Sequence, residues 1–162
     1  MVIRYMLDTD ACIALIKNRP DGMRKRLSLL SAEEVGVSAM VVAELWFGVR
    51  HSQRKKQNQA ALKDFLSYAT PLDWPWQASE LYGKIRAELQ QRGSPIGAMD
   101  LLIAAHALFL DAVLVTNNIR EFERVPDLKI ENWQAMTPLE DDISPVISEG
   151  KPASEMVIED RR

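Results

Sequence analysis

Apolar positions along this chain keep two rhythms, and the switches between them divide it into strands and helices. The first run, "VIRYML" (2–7), is a strand candidate that stops at Asp8. A helix is expected from about Asp10 to Lys17, with Asp8, Thr9 or Asp10 as its cap. "NRPDG" is a turn, and "MRKRLSLLS" a second helix. "EVGVSA" is a short strand, after which Ser38 can cap the helix "MVVAELWFGVR", where Val42, Leu45 and Trp46 recur at helical spacing. A further helix is expected from about Gln53 to Tyr68, with Leu62, Phe65 and Leu66 inward. "TPLDWPW" is a short extended piece bounded by prolines. "QASELYGKIRAELQQRG" is an amphipathic helix ended by Gly93. "GAMDLLIAAHAL" is a helix with a buried face, and "AVLVT" a buried strand of the parallel type. "NNIREFERV" is a short helical turn or loop, and "LKIENW" the last strand.

Strands separated by helices imply an α/β fold, a three-layer α/β/α arrangement with a mostly parallel central sheet. Sites in such sheets form at the carboxyl ends of the strands. Asp8 directly follows the first strand, and Thr116, Asn117 and Asn118 follow "AVLV", so both groups can reach one edge.

Composition narrows the classes. A length of 162 residues with 47% hydrophobic and 27% charged residues suits one compact domain with a real core. No run approaches a membrane span, and the opening segment, interrupted by Arg4, Asp8 and Asp10, is not a signal peptide, so a cytoplasmic location is expected. Cys12, the single cysteine, excludes an internal disulfide and reads as a small buried hydrophobe. His51 and His106 form no zinc pattern with it, and His106 is expected to be packed or at a rim. No G-x-S-x-G, P-loop or G-x-G-x-x-G occurs, which leaves serine hydrolase and nucleotide-binding readings without a motif. Charge is uneven. Residues 1–134 hold 17 Lys/Arg against 16 Asp/Glu, and residues 135–162 hold 3 against 7, so net charges of +1 and −4 make up the −3 of the chain. Residues 1–134 are therefore read as the domain and 135–162 as an acidic, flexible tail. Basic runs at 24–26 and 50–56 are each ordinary solvated faces, or together a phosphate-binding rim.

Three acids occupy places where a core-facing site is plausible. Asp8 ends a buried strand, Glu44 lies within "MVVAELWFGV", and Asp100 enters an apolar helix. Each has a local explanation: a cap, a solvent-facing residue, a partner of the helix dipole worth roughly 0.3–1 kcal/mol. Taken together, buried carboxylates repel and are costly unless a cation joins them. Mg²⁺ or Mn²⁺ prefers such oxygens and bridges to phosphate, which suggests metal-assisted phosphodiester hydrolysis.

At these residues the chain resembles the PIN domain, and specifically the VapC toxin ribonucleases of bacterial toxin–antitoxin pairs. "YMLDTDACI", "VSAMVVAELWFGV", "RAELQQRGSPIGAMDLLIAAHA" and "LVTNNIREFERVPDLKIENW" occur in the family's order and cover about residues 2–133. The resemblance implies that Asp8, Glu44 and Asp100 are metal ligands for Mg²⁺ or Mn²⁺. Many PIN domains carry a fourth acid after the last core strand, and the matching position is taken as Asn118, which would position a water. Thr116 would support the site with its hydroxyl and Thr9 with its backbone and hydroxyl. The family usually has Asn where this chain has Asp10, which is assigned to capping the helix. Arg50, Arg86, Arg92 and Arg120 are candidate contacts to the RNA backbone. The implied substrate is RNA, with the close subgroup cutting initiator tRNA in its anticodon stem-loop. The implied partners are a VapB-type antitoxin and a second copy of the chain, with operator DNA reached only through the antitoxin complex and no membrane. "AELWFGV" and "MRKRLSLL" are expected to offer apolar surface to these partners.

Two other readings stand beside this one. "YMLDTDACI" is similar to the start of haloacid-dehalogenase-type phosphatases, with Asp8 as nucleophile and Asp10 as general acid. That class expects a later lysine and a paired-acid segment in a suitable context, and here Asp141 and Asp142 fall in the tail. A non-catalytic interaction module is the third reading, against which the presence of all three acids argues.

Overall fold

The computed structural model describes residues 2–19 and 22–134; the expectation for 135–162 lies outside the described residues. Five strands form one sheet in the order β3-β2-β1-β4-β5: β1 (Tyr5–Leu7), β2 (Val35–Ser38), β3 (Thr70–Leu72), β4 (Val113–Val115) and β5 (Ile130–Glu131). Every pairing among them is parallel. The intervening helices are α1 (Thr9–Lys17), α2 (Met23–Ser28), α3 (Ala39–His51), α4 (Lys55–Phe65), α5 (Ser79–Gln91), α6 (Ala98–Phe109) and α7 (Ile119–Phe122). Right-handed crossovers put α1 to α4 on one face. The jump from β3 past β1 to β4 puts α5 and α6 on the other. The packing agrees, since α1 touches α2, α3 and α4, and α5 packs on α6.

Strands with helices on both faces must be apolar on both, and β2 is buried at all four positions. There is no room for a side chain at Gly36, where a Cβ would lie 2.6 Å from Leu72 Cδ1 and 2.9 Å from Met6 Sδ. β3 tolerates Pro71 because it is an edge strand, where one missing N–H breaks no ladder.

The elements are shorter than the hydrophobic pattern predicts. Val2 is exposed and outside β1, and only Ile130 and Glu131 of "LKIENW" pair. In "MRKRLSLL", Met23 and Leu27 are buried and Leu30 packs against the core, which leaves half-buried Leu29 as its remaining apolar side chain. Trp46 likewise packs against the core, whereas Phe47 is exposed as expected. Cys12 and His106 are buried. Burial lowers the His106 pKa to about 4, keeping the ring neutral, and its Nδ1 lies 2.9 Å from the Ser38 hydroxyl. Because Ser38 also accepts from the backbone N–H of Met40, this contact ties α6 to the start of α3.

Candidate active site

The strand order reverses direction between β1 and β4, so a crevice opens at their carboxyl ends. Asp8 stands there. Its backbone N–H donates to Val115 O at 3.1 Å, which fixes it beside the end of β4. Its Oδ1 accepts from Ala11 N–H at 2.8 Å and caps α1. Cap and site acid are thus one residue in two roles. Asp10, expected to be the cap, instead lies exposed in the first turn of α1. The extended backbone of Asp8, φ −77° and ψ 175°, suits the position before a helix, and the helix begins one residue earlier than expected. Burial pushes the Asp8 carboxyl up to about 6, against hydrogen bonds from Thr116 and Ala11 that favour its charged form, and Asp10 adds repulsion.

Thr116 is buried at the end of β4, and its Oγ1 also accepts from the Asn118 N–H at 2.9 Å. Thr9, the first residue of α1, is half-buried. Asp100 sits in the first turn of α6 with its carboxyl raised to about 6, by burial first, then by the charge and hydrogen bond of Glu121, then by Asp8 and Glu44. Asp8 and Glu44 both act against the Asp100 charge, so the three acids that the sequence singles out lie within electrostatic reach of one another. Glu44 differs in being on the exposed face of α3, at the edge of an apolar groove of about 310 Å³ between α1, α3 and α4.

Beyond β4, where the sequence reading named Asn118, the acid that reaches Asp100 is Glu121. Burial works against its charge, but the Gly97 N–H, the Asn118 amide and Asp100 hold its carboxyl below the usual range. Gly97 N–H donates to Oε1 at 3.2 Å, and Asn118 Nδ2 donates to Oε2 at 2.7 Å. Asn118 thus positions the acid. The spacing of Asn118 and Glu121, three apart at the start of α7, is the sequence signal, since a residue before a helix and one in its first turn reach each other. Of the four arginines, Arg92 pairs with Glu88 at 2.8 Å and Arg86 donates to Tyr82 Oη at 3.1 Å. Arg50 and Arg120 are exposed.

The donor set is all carboxylate oxygen with surplus negative charge, and its chemistry fits a small hard divalent cation. Among the described residues no three His, Cys, Asp or Glu side chains stand close enough to hold an ion by themselves.

The raised Asp8 pKa has a consequence for stability. A carboxyl that ionises less readily when folded stabilises the fold below its unfolded value, near 4, and that contribution is lost as pH rises through 6. The loss is about 2–3 kcal/mol. Asn keeps the cap and cannot ionise. In EDTA, Asp8→Asn is therefore expected to match the wild type near pH 4 and to exceed its stability by about 2–3 kcal/mol at pH 7.5. His106, whose lowered pKa destabilises the fold in acid, is common to both proteins and cancels. Urea melts at the two pH values check this; a gap independent of pH would refute it.

The PIN domain model matches residues 5–128. Ribonuclease VapC2 of Rickettsia felis is 46% identical over 130 residues, 80% of this chain and 97% of the relative. The tRNA(fMet)-specific endonuclease VapC of Salmonella typhimurium is 41% identical over 132 residues, 82% of this chain and 99% of the relative. In three dimensions the chain is similar to VapBC2 from Rickettsia felis bound to a promoter DNA fragment, with a TM-score of 0.76 and 45% identity over 81% of this chain and 99% of that one. It is also similar to DNA-bound VapBC from Salmonella typhimurium, with a TM-score of 0.77 and 41% identity over 82% and 99%.

Proposed function

Because this chain belongs to the PIN-domain family, among its VapC ribonucleases, we propose that it is the toxin endoribonuclease of a VapBC-type pair and hydrolyses an RNA phosphodiester with Mg²⁺ or Mn²⁺, in tRNA and specifically in the anticodon stem-loop of initiator tRNA. The observation that supports the reaction is that Asp100 feels the charges of Glu121, Asp8 and Glu44, with Asp8 held beside the carboxyl end of β4. The family also separates the chain from the phosphatase reading of Asp8.

Asp8 and Asp100 would hold the cation, with Glu44 and Glu121 adding charge around it. Bound there, it supplies a more acidic water and stabilises charge on the leaving oxygen. Thr116 and the α1 N-terminus fix the Asp8 carboxylate, and Glu121 fixes Asp100. Glu121 is itself fixed through Gly97 and Asn118, so the acids need little rearrangement when substrate arrives.

The VapBC neighbours support a VapB-type antitoxin as partner, with operator DNA bound through that complex. A helix of such a partner in the groove beside Glu44 would cover the site's edge. A homodimer belongs to the same reading. No helix among the described residues is long and apolar enough to cross a membrane.

Sequencing RNA ends after brief expression of the chain tests activity and target together. New ends confined to the anticodon loop of initiator tRNA, absent from an Asp8→Asn control, are expected. Ends in other RNAs would overturn the target, and no new ends would overturn the nuclease.

A further inference from the structure

The most exposed large side chains outside the termini of the domain include Phe47, 70% exposed on α3. Its ring lies stacked on His51, with centroids 5.7 Å apart and planes 12° apart. Glu44, Phe47, Gly48 and His51 follow one another at spacings of three and four, so they share one stripe of the helix, and all four are exposed. The stripe starts at a site acid and runs away from it. Gly48 leaves open space along it, since a Cβ there would touch nothing within 4 Å.

The stripe leads into positive charge. From Leu45 to Lys63 the chain contains no Asp or Glu, although its net charge is −3. Arg50, Arg54, Lys55 and Lys56 are exposed there, and none of their side chains makes an ion pair with a described residue. Ser52 to Gln57 line an open hollow of about 720 Å³. An i, i+4 ring pair supports a helix by only a few tenths of a kcal/mol, which does not account for a phenylalanine held in water on a stripe that ends three residues before the run Arg54, Lys55 and Lys56.

We propose that the Phe47–His51 ring pair on α3 is a stacking platform for an unpaired base of the RNA substrate, with Arg54, Lys55 and Lys56 holding the phosphates of the same strand. This rests on the nuclease reading and adds to it a specificity element. A nucleic-acid strand is favoured over a protein partner because aromatic faces interleaved with unpaired cations match bases and phosphates together. A platform of this kind selects unpaired loops, because bases inside a duplex have no free face.

The test uses the Asp100→Asn protein, so that RNA is bound and not consumed, with a synthetic RNA hairpin and a blunt RNA duplex of equal length as probes. Adding Phe47→Ala is expected to weaken hairpin binding by about 10- to 100-fold and to abolish the preference for hairpin over duplex. Adding Lys55→Gln with Lys56→Gln is expected to weaken both probes and to flatten the slope of log affinity against log salt by about 1.5. In otherwise wild-type protein, Phe47→Ala should raise KM and leave kcat nearly unchanged. Unchanged hairpin preference in the Phe47→Ala protein, while wild type still cleaves RNA, overturns the platform alone. Loss of antitoxin suppression with RNA affinity intact would give Phe47 to the protein partner and overturn it equally. Absence of RNA cleavage and binding by the wild type would overturn the nuclease reading, and the platform with it.

Discussion

Asp100→Asn protein is expected to cleave RNA more slowly by on the order of 10³-fold or more, while folding as well as the wild type. A neutral amide binds Mg²⁺ poorly, and the site loses one of the charges that hold the ion. Stability without metal should stay level or rise, because Asp8, Glu44 and Glu121 all act against the Asp100 charge or hold its proton. Asp8→Asn and Glu44→Gln should behave alike, and combining the three should add little, because they serve one function as a unit. A carboxylate that merely complemented the dipole of α6 would give the opposite result: about 0.3–1 kcal/mol of stability lost and activity intact. Cleavage of a tRNA pool in Mg²⁺, beside thermal melts in EDTA, decides between them. Full activity of the purified Asp100→Asn protein sinks the assignment.

Glu121→Gln is expected to fall between these limits. The amide keeps one acceptor oxygen, enough for the Gly97 N–H or the Asn118 amide but not for both in place, and it loses the charge beside Asp100. Partners that orient a metal ligand typically contribute 10- to 100-fold, so a loss of about that size is expected, recovered in part by raising Mg²⁺. Asp100→Asn should show no such recovery. If Glu121→Gln is as dead as Asp100→Asn and equally insensitive to Mg²⁺, Glu121 is a ligand and not a support.

Asp8, Glu44 and Asp100 were visible as candidates in the sequence because each interrupts an apolar pattern, where a charge needs a reason. Glu121 was not. It lies on α7, four residues long, where no hydrophobic rhythm has length to establish a face. Asn118, expected in the fourth place, precedes the short helix as its N-cap, and the acid that reaches Asp100 starts three residues later. Asp10 was misread for a related reason: with Asp8, Thr9 and Asp10 adjacent, composition names three caps, and only the extended backbone at Asp8 chooses one. The α/β class and helix order followed from periodicity, whereas strand ends did not. Apolar residues such as Val2 continue past the last ladder bond, and β5 pairs over two residues only.

The central place of β1 bears on how the molecule comes into being. β1, the earliest of the described strands in chain order, is flanked in the finished sheet by β2 and by β4, and β4 begins at Val113. Until that segment emerges, Asp8 has neither the Val115 carbonyl nor the Thr116 hydroxyl that fix it, and Asp100 has no Glu121. A fragment that ends before β4 therefore lacks the partners that hold these acids in place, whatever acids it already contains.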